Sequence, residues 1–96
     1  MKLDFTFAIK SWVSEDTIQA SDPLLIVLQN SDVKEEVFLD KIDRWGKKLK
    51  KDGAIEVDVP DAKFLKGLVI ASELNALGKI ALKEFINRRV TESEKL

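Results

Sequence analysis

Ninety-six residues, 45% hydrophobic and 34% charged, suffice for one folded domain with a single core. The absence of cysteine, histidine and tyrosine excludes disulfides, thiolate and imidazole metal ligands, and the commonest general base. A formal net charge of −1 conceals blocks: residues 14–40 carry −6, residues 41–51 carry +5, residues 52–78 carry −3 and residues 79–96 carry +2.

The chain opens with alternation. Leu3, Phe5, Phe7 and Ile9 fall on one side and Lys2, Asp4, Thr6 and Lys10 on the other, which predicts a strand with one buried face. Such alternation is unlike the apolar core of a signal peptide. The longest apolar runs, Leu24–Leu28 and Leu68–Ala71, fall well short of the ~20 residues of a membrane span. The expectation is therefore a cytoplasmic protein with no membrane partner. Trp12 continues on the polar side of the strand, and residues 14–22 are polar with no defined element.

Leu24–Leu28 follows Ser21-Asp22-Pro23. A run this short does not reveal its period, and we read it as a buried strand, with a helix opening at Pro23 as the alternative. Ser31 or Asp32 then caps a helix over about residues 32–51, because Phe38, Ile42, Trp45 and Leu49 form one stripe and Gly53 stands just past the end. Asp40 with Arg44 and Asp43 with Lys47 are acid-before-base pairs one turn apart. Residues 54–59 alternate again until Pro60. Residues 61–90 read as helix, with Asn75 and Gly78 marking where it would break and a strand over 64–71 as the alternative. Residues 1–90 then form the domain and 91–96 a disordered tail. The expected fold is α+β, a small two- or three-stranded sheet packed against two main helices.

The only acid–base candidates are carboxylates. Glu36, Asp40 and Asp43 share one side of the long helix, and Glu56 and Asp58 belong to the following strand. They lack calcium-loop spacing, and several have basic partners, so they read as a solvated, ion-paired face. No serine sits in a G-x-S-x-G elbow. Ser31-Asp32-Val33-Lys34 fits an S-x-x-K spacing, yet Ser31 is better explained as a cap. The glycines form no phosphate-binding loop. The sequence thus predicts no catalytic residue, cofactor, metal or small-molecule substrate, and a protein that is not an enzyme.

Two kinds of binding surface remain. Lys41, Arg44, Lys47, Lys48 and Lys51 concentrate positive charge along one helix, and Asp52-Gly53-Ala54-Ile55-Glu56-Val57 follows it. Over this stretch the chain resembles the recognition helix and first wing strand of winged-helix proteins, which implies a nucleic-acid-binding regulator. Ala71-Ser72-Glu73-Leu74-Asn75 likewise resembles the first half of a helix-turn-helix. The other surface is apolar. Trp12, Leu39 and Ile80 each fall off the apolar face their neighbours define, and short sheets leave edges that another chain can cover. This second surface gives the preferred expectation, a protein–protein interaction or assembly module that forms a homo-oligomer or takes a protein partner.

Overall fold

A computed structural model describes residues 1–95. The architecture is the expected mixture of helix and short antiparallel strand, with four helices and two separate two-stranded sheets. The alternating N-terminal segment supplies a strand to both sheets. Its first part, β1 (Lys2–Asp4), pairs with β4 (Ala54–Glu56), with Leu3 opposite Ile55. Its second part, β2 (Ala8–Lys10), pairs with β3 (Thr17–Gln19), with Ile9 opposite Ile18. Between them the chain bends where the Asp4 carboxylate accepts hydrogen bonds from the Thr6 hydroxyl (2.7 Å) and the Thr6 N–H (3.0 Å). The alternation nevertheless runs through the bend, so that Leu3, Phe5 and Ile9 are buried and Lys2, Asp4, Thr6, Ala8 and Lys10 are exposed.

Phe5 joins the two sheets. Its N–H donates to the Gly53 carbonyl (2.8 Å) and its carbonyl accepts from the Ser21 N–H (2.9 Å). Its ring is fully buried and packs edge-on against Phe85 at 5.1 Å, while Phe7 meets the Phe85 ring at 4.8 Å.

Helix α1 (Ser21–Gln29) occupies the run expected to be a strand. Three facts account for the correction. Pro23 lies in the first turn, where its missing N–H is not needed, and Asp22 complements the helix dipole there. Leu24, Val27 and Leu28 then fall on one buried stripe and leave Ile26 outside. Ser31 and Asp32 do not cap the next helix. The Ser31 hydroxyl donates back to the Leu28 carbonyl (2.9 Å) and closes α1, and α2 (Glu36–Asp52) begins several residues later behind Glu35.

Along α2 the expected stripe points inward. Trp45 and Leu49 are buried, Ile42 packs at the core margin, and Phe38 stacks on Phe64 at 4.6 Å. β4 is shorter than the alternation suggested, because Asp58 accepts a hydrogen bond from the Asp61 N–H (2.9 Å) and starts α3 (Val59–Ala71) with Pro60 in its first turn. Residues 64–71 are therefore helix. The long C-terminal helix is indeed broken, at residues 72–75. The Ser72 hydroxyl donates to the Val69 carbonyl (2.6 Å), and Asn75 caps α4 (Ala76–Glu94) by accepting from the Gly78 N–H (2.8 Å). Helix α4 continues through Thr91 to Glu94, where Glu94 pairs with Lys63 at 3.3 Å, across part of the stretch expected to be a tail. Leu96 lies outside the described residues.

Gly53 makes the α2–β4 turn possible. It is left-handed at φ +74°, and its N–H closes α2 on the Leu49 carbonyl (2.8 Å). A Cβ at this position would sit 2.7 Å from the Thr6 methyl. Gly53→Ala should therefore cost ~1–3 kcal/mol of stability in urea denaturation. Adding Thr6→Ser, which removes the methyl and keeps the hydroxyl on Asp4, should recover part of that loss. No recovery would show that backbone strain alone sets the cost.

Hydrogen bonds from Thr6 hold the Asp4 carboxyl below the usual carboxylate range. The unfolded chain binds this proton more readily, so the contribution is present above the ordinary carboxylate value and is lost as pH falls through the folded one. The stability advantage of the native protein over Asp4→Asn should narrow between about pH 5 and about pH 2. Denaturation midpoints that stay parallel over this range would contradict the assignment.

Candidate functional site

Three of the eight large hydrophobic side chains exposed among the described residues lie on the β2–β3 hairpin, the two most exposed among them. The two strands close at the Ser11 N–H, which donates to the Asp16 carbonyl (3.0 Å), and the Ala20 N–H donates to the Phe7 carbonyl (2.9 Å) at the other end. Two serine turns shape the loop between them: the Ser11 hydroxyl accepts from the Val13 N–H and the Ser14 hydroxyl from the Asp16 N–H. At the tip, Trp12 is 71% exposed and Val13 94% exposed. Ile18 lies opposite buried Ile9 yet overhangs the core, 46% exposed. Three large apolar side chains on one short, two-stranded element have little internal packing to justify them.

Among the residues singled out by sequence, Trp12 is part of this element. Leu39 and Ile80 are also exposed, but they stand on α2 and α4. These helices pack chiefly on other elements, α2 on α1 and β4 and α4 on α3. Val13 and Ile18 were not singled out. Polar Ser14-Glu15-Asp16 hid the hairpin, and the three-residue strand Thr17–Gln19 is too brief for a period to register. The readable signal was the symmetry of Ile9 and Ile18 about Val13-Ser14.

Three of the six basic residues of α2 are engaged with carboxylates. Lys41 is partly buried, donates to Asp61 at 2.9 Å and lies 5.8 Å above the Phe38 ring. Lys47 pairs with Asp43 at 2.9 Å, and Lys48 pairs with Asp52, whose carboxyl it holds below the usual range. Arg44, Lys50 and Lys51 make no ion pair among the described residues. Arg44 borders a groove with Glu56, Asp58 and Asp61. β4 pairs with β1 and leads directly into α3, where a wing would continue into a second strand.

Grooves elsewhere carry no convergent chemistry. One of about 820 Å³ between α1 and α2 is lined by Asp22, Asp43 and Asp52 against Lys47, Lys50 and Lys51, so its charges cancel. Among the described residues, no three carboxylates gather as metal ligands, and no helix is long and apolar enough to cross a membrane. Asp43 is held by Lys47, and Asp58 is occupied as the α3 cap. No family model, curated protein or solved structure matches the chain.

Proposed function

We propose that this protein is a non-enzymatic assembly module of the cytoplasm that self-associates through the β2–β3 hairpin. The observation that carries this reading is the exposure of Trp12, Val13 and Ile18 together on one small element. Burying apolar surface of this kind contributes roughly 25 cal/mol per Å², and a tryptophan at the centre of a contact is a frequent anchor of binding energy. The hairpin also has two outer edges without a neighbouring strand, and such edges invite pairing with another chain.

A second reading, nucleic-acid binding by α2, draws its support from exposed Arg44 and Lys51. To engage phosphates with all five basic residues, Lys41, Lys47 and Lys48 would first have to leave Asp61, Asp43 and Asp52. That requirement makes it the weaker of the two.

One experiment separates them. Trp12→Ala with Val13→Ser should lower the mass seen by light scattering at high micromolar concentration and leave the melting temperature near that of the native protein, because both side chains lie outside the core. Lys47→Gln with Lys48→Gln and Lys51→Gln should leave that mass unchanged. A native protein that is monomeric and binds duplex DNA with affinity falling steeply with salt, by about 0.9 in log–log slope per phosphate contact, would replace the first reading with the second.

A further inference from the structure

The geometry points to one particular edge and register for this association: β3 of one copy pairs antiparallel with β3 of a second copy, centred on Ile18. This inference rests on the assembly reading above and specifies its interface.

Hydrogen-bond parity sets which backbone groups of β3 face outward. Asp16 and Ala20 exchange bonds with Ser11 and Phe7 across the hairpin, so residues 16, 18 and 20 direct their backbone groups towards β2. Thr17 and Gln19 must then direct theirs away from it, and among the described residues the sheet has no further strand on that side. Both residues are exposed. The available edge thus offers two outward N–H and two outward carbonyl groups, spaced as an antiparallel partner requires.

Composition distinguishes this edge from its counterpart on β2. The β2 edge carries Lys10, a charge of the kind that discourages edge pairing, and its central side chain, Ile9, is already buried in the core. Pairing there would cover no apolar surface. The β3 edge, Thr17-Ile18-Gln19, is uncharged, and its central side chain is the one left overhanging.

Self-pairing about Ile18 sets no two acids directly opposite each other. It places Thr17 opposite Gln19 of the second copy and Ile18 opposite Ile18, and it sets Asp16 opposite Ala20 rather than another acid. Glu15 falls opposite Ser21, beside Asp22 of the second copy, and is already paired with Lys10 of its own hairpin at 3.1 Å. Because Thr17 and Gln19 make the hydrogen bonds, Ile18 and its copy form the closer, non-hydrogen-bonded pair, with Cα atoms about 4.5 Å apart. The two isoleucines would then cover each other in a continuous four-stranded sheet.

The chain has no cysteine of its own, which makes this register directly testable. A Cα separation of about 4.5 Å falls within the range a disulfide accepts. Under mild oxidation, Ile18→Cys should cross-link to a covalent dimer. Thr17→Cys and Gln19→Cys, each two residues out of register with its own copy, should not cross-link alone but should form a mixed disulfide when combined. Ile18→Glu, which would set two carboxylates opposite each other, should lower the association at least tenfold with little change in melting temperature. A native protein that self-associates and loses association on Trp12→Ala, but gives no Ile18→Cys cross-link, would overturn the β3 register and leave the hairpin reading standing. A native protein that is monomeric at high micromolar concentration would overturn both.

Discussion

The structure depends on the backbone of Phe5. Through its N–H it holds the end of α2 at Gly53, and through its carbonyl it holds the start of α1 at Ser21. Its ring meanwhile meets Phe85 of α4 in the core. One residue therefore fixes three helices relative to the N-terminal strand. The left-handed turn at Gly53 and the Asp4–Thr6 bend are the local devices that let this happen within so short a chain. A small domain buries a modest share of its surface, so this density of ties around one residue contributes more here than it would in a larger protein.

The same arrangement explains why the hairpin projects. Residues 5–7 and 20–21 anchor its base by hydrogen bonds, and Ile9 keeps its near end in the core. Beyond that point the chain has only its own two strands to pair with, and Trp12 and Val13 lie outside the packed volume. The positive block, by contrast, is spent in part internally, since three of the six basic residues of α2 are ion-paired. Lys41 meets Asp61 and ties α2 to α3, whereas Lys47 and Lys48 meet acids one turn along α2 itself in exposed pairs. Exposed pairs of this kind contribute little individually, and their main effect here is to reduce the positive field.

Much of the fold was legible because its signals were long or redundant. The α2 stripe from Phe38 to Leu49, the stop at Gly53, and the alternation from Leu3 to Ile9 all emerge as read. The run Leu24–Leu28 was not legible as helix, since five apolar residues fit either period. Only the packing of Leu24, Val27 and Leu28 against one side decides it. The break between α3 and α4 was located a few residues late. Asn75 and Gly78 were read as breakers, whereas Asn75 caps α4 and Gly78 lies inside its first turn. The hairpin site was half legible. Trp12 stood out by its size on a polar side, but Val13 and Ile18 acquire meaning only once β2 and β3 are paired.

Amide hydrogen exchange, followed residue by residue at low and high protein concentration, tests the account most directly. The Thr17 and Gln19 amides point away from β2, whereas the Ile18 amide points towards it. The account predicts that Thr17 and Gln19 exchange quickly in the dilute protein and become protected as concentration rises, while Ile18 is protected at both. Exchange at Thr17 and Gln19 that is equally fast at every concentration would contradict it.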